Sequence, residues 1–324
     1  MNLSFIRIIA SFLVAYLISM VAIPKFIPAL HRLKFGQIQR EDGMATHKSK
    51  SGTPTMGGVV IILATILAVY IVRPATVLDP YVFLLVFALV GNGAVGLLDD
   101  YLIVIRKTNK GLAALHKFLL QSAMAILFYL LVLVLLPNFT TTLNLFNQTF
   151  ELGFLYPVLV YFMFTAATNG VNLSDGLDGL ATGLVMMSIA PFVIFALMQK
   201  STSIASFGMA TIGALLAFMF YNYHPAKIFM GDVGSLGLGG LLAAMAILTA
   251  QELLLVLIGV MFVIETLSVI IQVGYFKLTK KRFFRMAPIH HHFEMLGWSE
   301  QQVVLAFWFG GFIAGVIGVL IGVM

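Results

Sequence analysis

The feature that most constrains this chain is a series of long apolar segments that recurs from one terminus to the other. An α-helix needs roughly 20 apolar residues to cross the hydrocarbon core of a bilayer. About ten such segments lie near residues 5–27, 55–72, 81–98, 116–136, 153–171, 180–198, 204–222, 234–250, 253–276 and 302–323. Only 10% of the 324 residues are charged, which is too little polar surface for a water-exposed fold of this size. The sequence therefore predicts an all-α, polytopic membrane bundle of about ten helices that forms a single domain over residues 1–324.

The lysines and arginines are distributed unequally between the two ends of these helices. Of the 19, only Arg7, Arg73 and Lys200 lie on one side of the predicted membrane. The other sixteen lie in the alternate loops and adjoining helix ends: Lys25, Arg32, Lys34, Arg40, Lys48, Lys50, Arg106, Lys107, Lys110, Lys117, Lys227, Lys277, Lys280, Lys281, Arg282 and Arg285. Because basic residues are enriched in cytoplasmic loops, the second side is predicted to be cytoplasmic and both termini extracytoplasmic. Membrane topology therefore explains the net charge of +6 better than nucleic-acid binding does.

Five aspartates lie on the predicted cytoplasmic side: Asp99, Asp100, Asp175, Asp178 and Asp232. A charged group at bilayer depth costs about 2.5–3.5 kcal/mol, so such groups usually mark a functional site. Asp99 and Asp100 are adjacent and are expected to end an apolar helix. Neighbouring carboxylates suit Mg²⁺ binding or proton abstraction, although a solvated helix terminus explains an isolated pair equally well.

Two further polar groups extend the acidic pattern. Asn169, Asn172, Asp175 and Asp178 recur every three residues, which predicts that they line one face of a helix or a tight turn. Asp232 stands where the eighth helix is expected to begin. An aspartate at that position could be a plain helix cap, but the other carboxylates favour a metal ligand.

Three consecutive histidines, His290, His291 and His292, follow a basic run at 280–285. Zinc normally recruits spaced ligands from several elements, so a zinc site is the weaker interpretation. Histidines beside basic residues suit anionic phosphates, to which they donate hydrogen bonds and charge.

A basic loop after the first helix carries Lys48 and Lys50 and then a Gly-Thr-Pro-Thr turn at 52–55. By itself this loop could simply contact lipid headgroups.

Together these motifs resemble those of the bacterial phospho-N-acetylmuramoyl-pentapeptide transferase family, within the polyprenyl-phosphate N-acetylhexosamine 1-phosphate transferase superfamily. The motifs are GTPTMGG at 52–58, Asp99-Asp100, NGVNLSDGLDGLA at 169–181, FMGDVGS at 229–235 and PIHHHFE at 288–294. They occur in order from about residue 46 to 294, so the resemblance covers most of the chain. The acidic motifs fit the superfamily broadly, whereas the histidine motif separates the muramoyl branch from its N-acetylglucosamine-phosphate relatives.

The resemblance implies a Mg²⁺-dependent enzyme of the bacterial cytoplasmic membrane, with its active site facing the cytoplasm. It would transfer phospho-MurNAc-pentapeptide from the UDP carrier to undecaprenyl phosphate and yield UMP and lipid I. A homodimer is expected on the same ground.

The resemblance also suggests a role for each candidate residue. Asp232 is the first choice for a Mg²⁺ ligand, with Asp100 and Asp175 as further ligands, and Asp99 is the candidate base. His291 is a further catalytic candidate. The expected neighbours of the uridine diphosphate moiety are Asn172, Asp175, Asp178, Asn222 and Phe229, with Phe229 stacked on uracil. The expected contacts to phosphates, sugar or other parts of the substrate are Lys48, Lys50, Thr53, Lys110, Lys117, Asn169, His290 and His292.

Two mechanisms remain open at this point. The lipid phosphate either attacks the sugar-side phosphorus directly, which we favour because it is already a competent nucleophile, or an aspartate attacks first and forms a covalent intermediate.

Three rival functions are also considered. An N-acetylglucosamine-phosphate transferase is the related enzyme, and an ion-coupled transporter is the rival from another class. Transporters tend to place acids near the bilayer midplane, whereas here only Glu265 lies within a predicted helix. A CDP-alcohol phosphotransferase is disfavoured because the Arg and the later acidic motif expected after Asp175 and Asp178 are missing.

Overall fold

The computed structural model describes residues 3–32, 52–106, 111–145 and 148–324. In these ranges the chain forms α-helices and one β-hairpin. The helices are α1 (Leu3–Arg32), α2 (Gly58–Val72), α3 (Pro80–Arg106), α4 (Ala114–Leu135), α5 (Tyr156–Ser174), α6 (Leu180–Met198), α7 (Thr202–Asn222), α8 (Gly231–Leu248), α9 (Leu254–Ile258), α10 (Val260–Thr279), α11 (Ile289–Met295) and α12 (Glu300–Val323). The strands are β1 (Thr142–Leu145) and β2 (Gln148–Glu151).

Most of these helices are long and apolar enough to cross a membrane. Within the described ranges, α1, α3 to α8, α10 and α12 meet both criteria, and the 15-residue α2 is a shorter apolar helix. The prediction of an all-α polytopic membrane protein is therefore confirmed.

Two predicted boundaries are wrong. The ninth segment, predicted at 253–276, is divided into α9 and α10 by a break at Gly259. The Asp99-Asp100 pair does not end its helix, because α3 continues to Arg106. The residues that follow the pair, Tyr101 to Ile105, are mostly apolar and include no helix breaker, so the helical pattern continues past the two charges.

The hairpin predicted for the loop at 137–152 is present. Strands β1 and β2 pair antiparallel, with Thr142 opposite Glu151 and Leu145 opposite Gln148.

Helix α8 forms the centre of the bundle. Its residues from Val233 to Leu248 are all buried, and it packs against α2, α3, α5 and α6. The approach to α2 is close enough that a Cβ on Gly58 would lie only 2.2 Å from the Cα of Gly234. Small residues allow helix backbones in a membrane to approach in this way. This packing brings the first turn of α8, which carries Asp232, against the neighbouring helices.

Candidate active site

Two of the predicted carboxylates, Asp99 and Asp232, meet at one end of the bundle around the side chain of Lys117. The Lys117 ammonium donates a hydrogen bond to Asp232 and lies 3.7 Å from Asp99 Oδ2. It also lies 3.4 Å from Asn172 Oδ1. Asn172 in turn donates from Nδ2 to Asp232 Oδ1 at 2.8 Å and to Ser235 Oγ at 2.9 Å. Helices α3, α4, α5 and α8 therefore each contribute to one polar cluster, in which Lys117 is the counter-ion of the carboxylates.

The adjacent carboxylates Asp99 and Asp100 have different backbone partners. Asp100 Oδ2 accepts the N–H of Val233 at 3.1 Å, in the first turn of α8, where helical N–H groups lack partners in their own helix. Asp99 Oδ1 accepts the N–H of Leu112 at 2.6 Å, just before α4 begins. Both side chains are buried, so these hydrogen bonds compensate for lost hydration. Each aspartate fixes the start of another helix in relation to α3.

The GTPTMGG and FMGDVGS motifs are joined by backbone hydrogen bonds. The Phe229 N–H donates to the Pro54 carbonyl at 2.8 Å, and the Gly57 N–H donates back to the Phe229 carbonyl at 2.9 Å. Gly231 has a φ of +74°, and a Cβ there would lie 2.6 Å from Asp100 Oδ2 and 2.8 Å from Thr55 Oγ1. Only glycine suits this position, on both conformational and steric grounds. The segments that carry Thr53 and Phe229 are thus held beside the carboxylates.

The turn at residues 175–179, which we call the acidic loop, differs from its predicted arrangement. Helix α5 ends at Ser174, so the three-residue spacing does not continue as one helical face. Asn169 donates to Gln121 Oε1 at 3.0 Å. Asp178 accepts the Ala226 N–H at 3.0 Å, away from the Lys117 cluster. The helical form of the prediction is therefore wrong, because the chain leaves α5 after Ser174 and forms a turn.

Asp175 is the member of the acidic loop that interacts with the carboxylate cluster. Its side chain is partly exposed, yet the surrounding protein desolvates the carboxyl and raises its pKa well above the ordinary value. The like charges of Asp232 and Asp100 raise the pKa further, and a hydrogen bond from the Gly231 N–H opposes them. Burial and the neighbouring carboxylates thus make the Asp175 carboxyl a weaker acid than an exposed aspartate.

Asp178 belongs to a second cluster of polar side chains, and its other two members, His224 and Glu300, were not predicted from the sequence. Its backbone N–H donates to Glu300 Oε1 at 2.7 Å, and its carboxylate lies 3.1 Å from His224 Nδ1. His224 Nδ1 also lies 3.2 Å from Glu300 Oε2. One ligand atom from each of these residues lies within 4.8 Å of the others, close enough to share a metal ion. The contacts among Asp178, His224 and Glu300 connect the acidic loop, the loop after α7 and the start of α12, so these three residues hold the three segments together. No sequence pattern links His224 or Glu300 to Asp178.

Asn222, predicted near the nucleotide, has both ends of its amide engaged. Its Oδ1 accepts from Thr182 Oγ1 at 2.7 Å, and its Nδ2 donates to the Ile228 carbonyl at 3.0 Å. Asn222 thereby fixes the loop that leads to Phe229.

The three consecutive histidines of α11 face different partners. His290 is fully buried, and its Nδ1 lies 3.0 Å from Glu265 Oε1. His291 Nδ1 lies 2.7 Å from Glu294 Oε2, and His292 Nδ1 accepts the Arg285 N–H at 3.1 Å. The structure therefore does not present the three rings as one phosphate-binding surface.

Three lysines that were also predicted to contact substrate, Lys48, Lys50 and Lys110, lie outside the described residues.

The carboxylate cluster fits a magnesium ion by its chemistry. Mg²⁺ prefers carboxylate oxygens and is usually held by one or two of them together with substrate phosphate. Asp232 and Asp99 already surround a cationic group, the ammonium of Lys117. The Mg²⁺ requirement, and the roles of Asp232, Asp100 and Asp175 as ligands, remain predictions.

Comparison with known proteins adds independent information. Residues 81–250 match the model of Glycosyl transferase family 4, and residues 50–62 match the phospho-N-acetylmuramoyl-pentapeptide-transferase signature 1. The chain is 46% identical over 319 residues to a Bacillus subtilis (strain 168) protein, with 98% of each chain covered. It is 48% identical over 317 residues to a Staphylococcus haemolyticus protein, with coverage of 96% of this chain and 98% of the relative. Both relatives are named phospho-N-acetylmuramoyl-pentapeptide-transferase.

Proposed function

The chain belongs to the phospho-N-acetylmuramoyl-pentapeptide transferase family, and from that premise we propose that it transfers phospho-MurNAc-pentapeptide from UDP to undecaprenyl phosphate. The products would be UMP and lipid I. The observation that carries the proposal is the carboxylate cluster around Lys117 at one end of a membrane bundle. A water-soluble nucleotide sugar and a lipid phosphate can both reach such a position.

The chemistry requires positioning and charge neutralisation rather than a complex covalent sequence. Bound Mg²⁺, held by Asp232 with Asp100 and Asp175, would neutralise the diphosphate. Asp99 would accept a proton from the lipid phosphate, and Lys117 would donate to a phosphate oxygen. His291, paired with Glu294, is proposed to act beside the sugar phosphate.

In the mechanism that we favour, an oxygen of the lipid phosphate forms the new bond to the sugar-side phosphorus. The bond from that phosphorus to the bridging oxygen breaks, and UMP leaves with that oxygen. Purified enzyme incubated with labelled nucleotide sugar and no lipid acceptor should then carry no label. A stable phosphosugar-labelled protein would establish the covalent alternative.

The nucleotide would bind beside the acidic loop. Asn172, Asp175, Asp178 and Asn222 are proposed to surround the uridine diphosphate, with uracil stacked on Phe229. Support comes from the hydrogen bonds that hold the Phe229 segment next to Pro54 and from those that fix Asp178 near the loop after α7. The remaining phosphate and sugar contacts are assigned to Lys48, Lys50, Thr53, Lys110, Lys117, Asn169 and His292, whereas His290, which is buried behind the acidic loop, would act on the substrate through that loop.

The active site is proposed to face the bacterial cytoplasm, with both termini outside. The support is the excess of basic residues on that side, which includes Arg32, Arg106 and Lys277 in the last turns of α1, α3 and α10.

Substrate exchange in detergent tests the proposal. Purified protein with Mg²⁺ and undecaprenyl phosphate should release UMP from UDP-MurNAc-pentapeptide and form a labelled lipid product. UDP-N-acetylglucosamine should give little product under the same conditions. Turnover with UDP-N-acetylglucosamine alone would assign the chain to the related enzymes. The absence of UMP release from either substrate would favour the transporter, which needs a sealed compartment to act.

A further inference from the structure

Helix α10 carries a buried carboxylate that the proposed reaction does not use. Among its residues only Phe262, Glu265 and Ser268 are buried, so they form one narrow stripe on a largely exposed helix. A carboxylate in a membrane-spanning helix is costly unless it is paired. Glu265 is fully buried, and its Oε1 lies 3.0 Å from Nδ1 of the equally buried His290. This pair connects α10 to the short helix α11.

The free edge of the His290 ring lies against the acidic loop. A Cβ on Gly176 would lie 2.5 Å from His290 Nε2, so the loop can approach the ring only because residue 176 is glycine. Helix α10 is packed on α5 just before that loop, since a Cβ on Gly170 would lie 3.1 Å from the Phe262 Cβ. The Glu265–His290 pair therefore lies behind the loop that carries Asp175 and Asp178.

Two polar atoms of the pair have no hydrogen-bond partner within the part of the chain that the structure describes. They are His290 Nε2 and Glu265 Oε2, and both are buried. Buried polar atoms are rarely left unpaired, so such atoms in a native protein call for an explanation. Nε2 is directed at the acidic loop, where a hydrogen-bonding group of a ligand would satisfy it.

Glu265 determines which ring nitrogen is presented there. A neutral imidazole carries its proton on either Nδ1 or Nε2, and the partner of one nitrogen decides the state of the other. An ionised carboxylate can only accept, so an ionised Glu265 would place the proton on Nδ1 and orient the ring. Nε2 is then available as an acceptor at the acidic loop.

We propose that Glu265 is a positioning residue of the transfer reaction, which acts through His290 on the acidic loop and thus on the nucleotide portion of the substrate. Glu265 itself does not contact the substrate. The inference rests on the proposed function, because that function assigns the acidic loop to the uridine diphosphate. It predicts a selective effect on nucleotide binding rather than a general loss of folded protein.

The first experiment compares Glu265→Gln with wild type in the purified full-length protein. Glutamine keeps the shape and can still bond to His290, but it removes the charge that fixes the Nδ1 proton. The variant should bind UMP about tenfold more weakly by calorimetry, an effect in the range seen when an orienting partner is changed. The KM for the nucleotide sugar should rise, while the KM for undecaprenyl phosphate and the apparent Tm should stay near wild type.

The matched control is Glu252→Gln, the same chemical change at another buried glutamate. Glu252 bonds to Tyr156 in the connection between α8 and α9, and is not part of the Lys117 cluster. Its variant should bind UMP as wild type does. Equal loss of UMP affinity in both variants would overturn the proposal.

A double-mutant cycle with His290→Asn tests whether Glu265 acts through the histidine. The double variant should bind UMP no more weakly than His290→Asn alone, because coupled residues are not additive. Additive losses would overturn the proposal, as would a lower Tm without any change in UMP affinity or KM. Absence of wild-type turnover would instead contradict the proposed function, and the UMP titrations would still test the Glu265–His290 coupling.

Discussion

At the scale of single residues, Lys117 has the central position in the candidate site. It bonds to Asp232, lies near Asp99 and Asn172, and comes from a different helix than any of them. A nearby cation reduces the repulsion between carboxylates that are brought together away from water. The sequence shows Lys117 as one of many basic residues, and the structure shows that it holds the carboxylates together.

Replacing Lys117 with methionine should therefore damage both the fold and the reaction. The change leaves Asp232 and Asp99 without their counter-ion, so the apparent Tm should fall. Turnover should fall at least about 100-fold, which is typical when a preorganised donor to a reacting group is removed. UMP release and thermal unfolding measure the two effects. Lys200→Met, at an exposed lysine between α6 and α7, should change neither, and near-normal turnover by Lys117→Met would contradict this role.

Glu252 should make the stability of the protein depend on pH. Burial raises the pKa of its carboxyl from 4.5 to about 7, while a hydrogen bond from the Tyr156 hydroxyl opposes the shift. As pH rises from about 4.5 to about 7, the unfolded chain releases this proton before the folded chain does. The folded state then loses stability, by up to about 3 kcal/mol for a shift of this size, and the loss is complete above about pH 7.

The Glu252→Gln variant isolates this contribution because glutamine does not titrate. The Tm of the variant minus that of wild type should increase with pH between about 4.5 and 7 and then stay constant. Intrinsic tryptophan fluorescence during heating would measure it at several pH values. A Tm difference that is the same across the whole range would show that Glu252 does not titrate in this window.

At the scale of elements, the crossing of α2 and α8 positions the site. The contact between Gly58 and Gly234 leaves no space for a side chain, and Asp232 lies half a turn before Gly234. The N–H groups at the start of α8 also bind Asp100. A displacement of α8 would thus alter the positions of two carboxylates at once.

Gly58→Ala should accordingly lower both stability and turnover. The added methyl would meet the backbone of Gly234 and force the helices apart, with a cost of about 1–3 kcal/mol. Gly274→Ala is the matched control, because a Cβ at Gly274 in α10 meets no atom within 4 Å. Thermal unfolding and UMP release of the two variants provide the comparison. If the two variants had the same Tm and the same rate of UMP release, the α2–α8 contact would not determine the positions of the carboxylates.

At the scale of the whole molecule, the sequence predicts the secondary structure better than the details of the site. The apolar segments and the hairpin follow from local patterns and are present, although the ninth segment is divided at Gly259. Local patterns could not reveal that Asp178 turns towards Ala226, because the two residues are 48 positions apart. The Glu265–His290 contact joins residues 25 positions apart, and no spacing rule predicts it. The Asp99-Asp100 pair was recognised, but its separate backbone partners were not.

Asp232 is the proposed Mg²⁺ ligand on which the transfer reaction depends, and the turnover of Asp232→Asn tests that role most directly. Asparagine keeps the size of the side chain and one acceptor oxygen, but it removes the charge and puts an NH₂ group in place of the second oxygen, so only one of the hydrogen bonds from Asn172 and Lys117 can persist. UMP release by the purified variant with saturating Mg²⁺ should be abolished, while Asp79→Asn, before the opposite end of α3, should retain wild-type turnover. Substantial Mg²⁺-dependent UMP release by Asp232→Asn would contradict the account and remove Asp232 as the metal ligand.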